Sequence, residues 1–394
     1  MSESLPTLRL NPNAERRLRV GHSWVFSNEV DTAKTPLKAL KAGDLVNIVD
    51  SRGKAVGTAY ANPNSLIAAR LLSSRADAVI DLAWLTRRLA AARAMRDSIY
   101  PTPHYRLVYG EADGLPGLVV DRFGDICVVQ TNTAGMDRLQ PLVIQALQAE
   151  LQPRGILLRN DGSSRTVEGL PEAVEAIGEV PDSVELVESG VRFKAPVRHG
   201  QKTGWFFDQH DNRDRFTRYV REKRVLDVFS YVGAWGIRAM VAGATSATCV
   251  DSSQPALDAV VENAALNGVE VEALKGDALD RLKSLRADGR TFDVVVVDPP
   301  ALIKRRKDHD AGLEHYAALN RAAMQLLVPG GVLVACSCSF HLEESELQRI
   351  LLREARAQNR QLQILEQGGQ GPDHPVHPAI VETRYLKAFY CRVN

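Results

Sequence analysis

The chain has 394 residues, 45% hydrophobic and 25% charged, with a formal net charge of +1. That length suits two or three domains of an ordinary globular protein. It contains no apolar run long enough to span a membrane, and its near-zero charge excludes a global basic field, so any nucleic acid must be held by local patches. The start, Met1-Ser-Glu-Ser-Leu-Pro6, lacks the basic and apolar portions of a signal peptide. Five scattered cysteines form no disulfide framework, which points to a reducing, cytoplasmic setting.

Residues 1–72 are expected to form a small all-β barrel. Short strands over Lys41–Asp50, Gly53–Tyr60 and Leu66–Leu72 are parted by Gly, Asn, Pro and Ser. Such a barrel has its own core, so its removal should leave the C-terminal domain folded. Residues 73–185 read as an α+β middle domain. Leu82, Leu85, Leu89, Ala92 and Met95 recur at helical spacing and predict a helix over Asp81–Ser98. Strands follow at Tyr105–Tyr109, Gly117–Arg122 and Asp125–Thr131, then a helix over Asp137–Leu151; no catalytic group stands out. From 186 to 394, strands at Arg224–Phe229, Ala247–Val250, Val269–Leu274, Phe292–Val297, Gly331–Cys336, Gln361–Glu366 and Leu386–Arg392 alternate with helices. That alternation predicts a Rossmann-like parallel sheet covered on both faces. In the helix after Asp251, Ser253 is the expected cap, Pro255 sits in the first turn, Leu257, Val260, Val261 and Ala264 face the sheet, and Gly268 ends it. The expected fold class is therefore multidomain α/β: a β-barrel, an α+β middle domain and a Rossmann-like C-terminal domain.

The stretch Arg224–Asp251 has the logic of a nucleotide-binding strand, turn and helix. Gly233 and Gly236 sit in the turn, where glycine lets backbone approach a ligand, and Asp251, 18 positions past Gly233, ends the next strand and can hold a ribose. The turn is not G-x-G-x-x-G. It begins Asp227-Val-Phe-Ser-Tyr231 and lacks three close glycines, so a ligand without a pyrophosphate fits better, with S-adenosylmethionine the candidate. Ligands of open α/β sheets sit at the carboxyl ends of the strands, and those ends carry Asp227, Asp251, Asp277, Asp298 and Cys338. The competing reading is that each Asp caps a helix. Asp298-Pro-Pro-Ala301 stiffens its loop, and Ala301 stands where methyltransferases of exocyclic amines place a stacking aromatic, which disfavours amine methylation. Cys336 and Cys338 are two apart, so both thiols could approach one site. Cys127, Cys249 and Cys391 read as buried hydrophobes and Cys338 as a nucleophile at a strand end; Cys336 stays open between the two. No metal is expected, because Cys-x-Cys near His341 lacks a second ligand pair and His374-x-x-His377 lies among prolines. Lys304-Arg-Arg-Lys307 is either a solvated face or a phosphate grip.

Motifs along nearly the whole chain carry a family resemblance. They are Arg19–Glu29 with His22-Ser-Trp-Val-Phe-Ser27, Gly43-Asp44, the run Gly110-Glu-Ala-Asp-Gly-Leu-Pro-Gly-Leu-Val-Val-Asp-Arg-Phe-Gly124, Gly200–Arg213, Phe229-Ser-Tyr-Val-Gly233, Asp298-Pro-Pro300, Ser337-Cys-Ser339, Asp373-His-Pro375 and Tyr385-Leu-Lys-Ala-Phe389. In order and spacing the chain resembles the bacterial large-subunit (23S) ribosomal RNA cytosine-C5 methyltransferases of the RlmI type, class I S-adenosylmethionine-dependent enzymes with an N-terminal PUA RNA-binding domain. The resemblance implies a PUA-like domain over 1–72, an RNA-contacting middle domain over 73–185 and a methyltransferase domain over 186–394. It implies S-adenosylmethionine contacts at Gln209, Asp227, Phe229, Ser230, Tyr231, Gly233, Asp251, Ser252, Asp277, Ala278 and Asp298, with Asp298 also on the target base and Cys338 as nucleophile. Pro300 occupies the place of a second, product-releasing cysteine in many RNA cytosine-C5 methyltransferases, so the release step has no assigned residue.

The implied reaction is covalent. The Cys338 thiolate adds to C6, Asp298 acts near N3, C5 takes the methyl group, and the C5 proton and the thiol leave. The target must be single-stranded or flipped out. The implied partner is 23S ribosomal RNA before full subunit assembly, with no membrane and with a homodimer as an open alternative. Two other readings remain: a methyltransferase acting on another base position or RNA, with Cys338 structural, and a non-catalytic RNA-binding assembly factor.

Overall fold

The computed structural model describes residues 4–394, and its contacts gather the chain into two units. One holds the residues up to Val184 together with Pro196–Trp205 and Pro372–Thr383; the other holds Glu185–Ala195, Phe206–Gly371 and Arg384–Asn394.

The first unit begins with β1 (Thr7–Arg9), α1 (Glu15–Arg19), β2 (Trp24–Phe26), β3 (Leu45–Val49), β4 (Ala55–Ala61) and β5 (Ile67–Ser73). The strands are ordered β1-β3-β4-β5-β2. The two edges meet at a Leu10–Val30 bridge, and Asp31 N–H donates to the Arg9 carbonyl at 2.9 Å. The sheet thus closes and leaves no bare edge. The sequence showed only the three longer strands, because three residues are too few to display alternation. Leu8, Val25, Val46, Ile48, Ala59 and Ala68 fill the interior.

Next come α2 (Leu82–Asp97), β6 (His104–Tyr109), β7 (Leu118–Phe123), β8 (Ile126–Thr131), α3 (Ala134–Leu151), β9 (Gly155–Asn160), α4 (Ser163–Val167) and β10 (Ala173–Gly178). These strands form a sheet ordered β10-β9-β8-β7-β6. It is antiparallel except where β8 pairs with β9, and that parallel pair needs the crossover that α3 supplies. Asp81 caps α2 by accepting from Trp84 N–H, as a helix start requires. The barrel and this sheet are stitched together. Tyr60 of β4 lies in the core of the second sheet, and a Cβ on Gly135 would fall 2.0 Å from its ring. The buried Glu168 carboxylate accepts from Asn62 Nδ2 at 2.8 Å and Arg70 Nη2 at 3.3 Å.

The second unit opens with the ribbon β11 (Val184–Glu188) and β12 (Val191–Ala195), then α5 (His210–Phe216). There follow β13 (Arg224–Val228), α6 (Ala234–Val241), β14 (Ser246–Asp251), α7 (Gln254–Leu266), β15 (Glu272–Lys275), α8 (Ala278–Ala287), β16 (Phe292–Val297), α9 (His309–Leu326), β17 (Leu327–Ser337), α10 (Glu344–Arg356), β18 (Leu362–Gly368) and β19 (Lys387–Val393). The sheet order is β15-β14-β13-β16-β17-β19-β18. The expected all-parallel sheet is corrected here. The strands from β15 to β17 run parallel, but β19 enters antiparallel between β17 and β18. Among the described residues no α-helix joins β18 to β19, and without that crossover a strand returns antiparallel. Ser253 caps α7 as expected, by accepting from Ala256 N–H. Val261 does not face the sheet; it is exposed. Gly236 also has a different reason from the expected one. A Cβ there would lie 2.6 Å from Cys249 Sγ, so the glycine lets α6 press onto β14 rather than admitting a ligand.

Candidate active site

The parallel strands end in a row of polar groups, each oriented by the fold. Asp227 lies inside β13 with its side chain fully buried. Its Oδ2 accepts from Gly236 N–H at 3.0 Å, and its Oδ1 has no protein partner. Burial pushes this carboxyl up to about 7, and the nearby Asp298 and Asp251 charges add to the effect. The loop that follows is unusual. Phe229 and Tyr231 both adopt positive φ, +68° and +48°, a conformation that costs non-glycine residues of order 1–3 kcal/mol. It is held because Phe229 and Ser230 N–H both donate to the Val250 carbonyl at 2.9 and 3.0 Å, and Gly233 N–H donates to the Ser230 carbonyl at 2.8 Å. The Ser230 hydroxyl is buried without a protein partner.

Asp251 ends β14. Its Oδ2 accepts from Tyr231 N–H and its Oδ1 from Ser253 N–H, both at 2.9 Å. Two backbone donors thus aim the carboxylate while leaving each oxygen a free lone pair. Ser252 beside it is exposed. Asp277 is the cap of α8, accepting from Leu279 and Asp280 N–H at 2.9 and 3.3 Å, so for this acid the capping reading holds. Ala278 is the buried first residue of that helix.

Asp298 follows β16. Gln209 Nε2 donates to its Oδ1 at 2.9 Å and the Trp235 indole N–H to its Oδ2 at 3.1 Å. Burial pushes this carboxyl up to about 6, against the lowering effect of the Trp235 bond. Gln209 is itself fixed by Asn212 Nδ2, 2.6 Å from its Oε1.

Cys338 follows β17 directly and is half-buried, with its Sγ 3.8 Å from the Pro299 carbonyl oxygen. The structure therefore brings the thiol to the loop that starts at Asp298. Cys336 differs from it, although Gln209 and the Asp298 charge also act on its thiol. β17 ends at Ser337, so strand alternation stops before Cys338. Cys336 is 2% exposed in the core formed by Trp235, Ala388 and Tyr390, and burial drives its thiol well above the usual range. The buried-hydrophobe reading applies to it, as to Cys127, Cys249 and Cys391.

Two residues had no assigned role in the sequence. Trp235 lies in the first turn of α6, but nothing in the pattern announces its bond to Asp298. Lys387 pairs across the sheet with Ser337, and its ammonium donates to the carbonyls of Ser339 at 2.6 Å and Leu342 at 2.8 Å. Burial pulls it down to about 8, while Cys338 favours its charged form. Only the antiparallel insertion of β19 brings it there. Lys304, Arg305, Arg306 and Lys307 are all exposed, as is Phe340 two residues past the thiol. Among the described residues no group of three or more His, Cys, Asp and Glu could hold a metal ion.

Residues 166–391 match the S-adenosylmethionine-dependent methyltransferase family, and residues 8–74 match the PUA-like domain. The chain is 37% identical to a Cronobacter sakazakii protein named ribosomal RNA large subunit methyltransferase I, over 98% of this chain and 99% of that one. The protein of the same name from Escherichia coli is 36% identical over the same shares. The chain belongs to the ribosomal RNA large subunit methyltransferase I family. Its fold is also similar to that of a solved Streptococcus mutans chain described as a candidate SAM-dependent methyltransferase, with a TM-score of 0.82, 19% identity, and 98% and 100% of the two chains covered. A second solved chain, crystallised with SAH, gives a TM-score of 0.84 at 20% identity, with the same coverage.

The cofactor of this family member is S-adenosylmethionine, and the residues fit it. The buried Asp227 Oδ1 and Ser230 Oγ lack protein partners, which a polar ligand would supply. Asp251 presents free lone pairs at the strand end where a ribose is held.

Proposed function

We propose that this protein transfers a methyl group from S-adenosylmethionine to C5 of a cytosine in large-subunit ribosomal RNA, through a covalent adduct on Cys338. One observation carries this reading: the half-buried Cys338 thiol lies 3.8 Å from the Pro299 carbonyl, in the loop begun by Asp298. The relatives named above support ribosomal RNA as the substrate. The need to reach C6 of an unpaired base favours RNA that has not been sealed into an assembled subunit, in the cytoplasm.

When bound, S-adenosylmethionine supplies an electrophilic methyl group. The protein's part is to hold the cofactor and to make C5 nucleophilic. Asp251, Asp227, Ser230 and the Phe229–Gly233 loop hold the cofactor, with Gln209, Ser252, Asp277 and Ala278 at its edges. The Cys338 sulfur forms a bond to C6, and the C5–C6 π electrons shift toward C5. Asp298, with a carboxyl near 6, donates a hydrogen bond or proton at N3 and so takes up the charge the addition creates. After C5 is methylated, loss of its proton restores the double bond, the C6–S bond breaks and the thiolate returns. The charged Lys387 favours that thiolate. Lys304–Lys307 and Phe340 are placed to take phosphate and base surface from the RNA.

The test is RNA carrying 5-fluorocytosine at the target, in which fluorine cannot leave as a proton does. Wild type and Cys336→Ala should form a stable adduct, and Cys338→Ala should form none while still binding SAH. Full methyl transfer by Cys338→Ala would end the covalent reading.

A further inference from the structure

The first unit contains a cavity of about 430 Å³ that no step of the proposed reaction uses, within the size range of small-molecule sites. Two motifs singled out in the sequence converge on it, Trp24 from the His22–Ser27 segment and Gly110, Glu111 and Gly117 from the Gly110–Gly124 run, and Glu382 and Thr383 also line it. Gly117 has a steric reason to be glycine. It has φ +76°, and a Cβ there would lie 2.2 Å from the Thr133 hydroxyl that forms part of the wall.

The wall excludes an anion. Among the described residues that line it, the one cation is Arg70, which is engaged by Glu168 at 3.3 Å and Glu111 at 3.7 Å, and Glu382 adds a third carboxylate. Besides the exposed Glu382, two lining side chains keep hydrogen-bonding capacity for a ligand. Glu111 Oε1 accepts from the Trp24 indole N–H at 2.9 Å, so its Oε2 retains full acceptor capacity. Asn132 uses its Oδ1 for the Ser164 hydroxyl at 3.0 Å, so its Nδ2 protons are available. Trp24 and Tyr109 add aromatic surface, and Ile67, Val119 and Val167 add aliphatic surface. A carboxylate acceptor and an amide donor lining one aromatic-walled cavity suit the base edge that presents two N–H donors next to a carbonyl oxygen. Guanine alone has that edge. Adenine and cytosine would turn a ring-nitrogen lone pair toward the carboxylate, and uracil a carbonyl. Beyond the cavity, Arg17 is held by Glu29 at 2.8 Å and Arg19 by Asp50 at 2.8 Å, while Arg16 of the same short helix is exposed and offers positive charge to a flanking phosphate.

We propose that this cavity is a recognition pocket for one unpaired guanine of the RNA, distinct from the cytosine at Cys338. The proposal rests on RNA being the substrate, but not on Cys338. The test measures binding of the full chain to four fluorescein-labelled nine-nucleotide RNAs, all uridine except a central G, A, C or U, at physiological salt. The G-centred RNA should bind at least tenfold tighter than the U-centred one. Asn132→Ala and Glu111→Gln should each reduce that ratio to below threefold. Val167→Trp, at a position 76% exposed and so tolerant of bulk, should do the same by filling the cavity. Thermal melting of each variant reports whether its fold is kept. Equal binding of all four RNAs by wild type would overturn the pocket alone. A preference for A, C or U would overturn the guanine assignment, as would a G preference that survives in folded Asn132→Ala and Val167→Trp. Binding to none of the four would overturn the RNA reading beneath it.

Discussion

Asp227→Asn should separate the protein's stability from its function in a pH-dependent way. Asp227 is fully buried, its Oδ1 lacks a protein partner, and its carboxyl is raised to about 7 in the fold. An unfolded chain would ionise it near the usual aspartate value, about 3.9. Because the folded value is raised, its contribution favours folding at low pH and is lost as pH rises from about 4 through about 7. Each tenfold difference in acidity between the folded and unfolded carboxyl is worth about 1.4 kcal/mol, so the loss between pH 5 and pH 8 is roughly 2–3 kcal/mol. Asparagine keeps an acceptor for Gly236 N–H and carries no charge, so it escapes that loss. Urea unfolding of ligand-free wild type and variant at both pH values should therefore show the variant gaining roughly 2–3 kcal/mol more at pH 8 than at pH 5. The same substitution should weaken SAH binding by calorimetry, because the buried acceptor it alters is one the cofactor would satisfy. A stability difference that is the same at both pH values would refute the reasoning.

Asp251→Ala should weaken SAH binding by about 1.5–3 kcal/mol for each charged hydrogen bond lost, and unchanged affinity by calorimetry would count against the ribose placement. Lys387→Met should slow methyl transfer near neutral pH. Wild type should lose rate as pH rises through about 8, where the Lys387 ammonium deprotonates, and Lys387→Met should lack that limb while Lys387→Arg restores charge; pH–rate profiles of the three decide it. Deleting residues 1–72 should destabilise what remains of the first unit, because it strips Tyr60 and Leu72 from a shared core and Asn62, Ser65 and Arg70 from Glu168. The loss should be visible as reduced amide-exchange protection in α3 and β9 while β13 to β16 keep theirs.

The sequence revealed most where a local pattern has one physical cause. Asp251 and Cys338 stand at strand ends, where the alternation of strands and helices put them, and Ser253 capped its helix as the pattern required. It revealed least where distant segments meet. Lys387 reaches the Cys338 loop only because β19 inserts antiparallel between β17 and β18, and no periodicity encodes that insertion. The spacing of two let both Cys336 and Cys338 approach one site only while the strand continues, and it stops at Ser337. Asp277 shows the reverse case: an acid at a strand end that serves first as a helix cap. Trp235 looked like part of a turn, and its indole bond to Asp298 depends on how α6 seats against the sheet. The stitching of the barrel to the second sheet through Tyr60 and Glu168 likewise left no local trace.

The position of β19 also fixes when the site can exist. It is the last strand of the chain, yet it lies inside the sheet with a partner on each side, and it carries Lys387. During synthesis from the N-terminus, β17 and Cys338 emerge while that inner place is still empty. Until β19 emerges, β18 has no neighbour in the sheet and the Ser339 and Leu342 carbonyls have no ammonium. Chain order therefore acts as a delay, so that a half-made chain carries the Cys338 thiol without the Lys387 ammonium that the finished sheet sets at its loop.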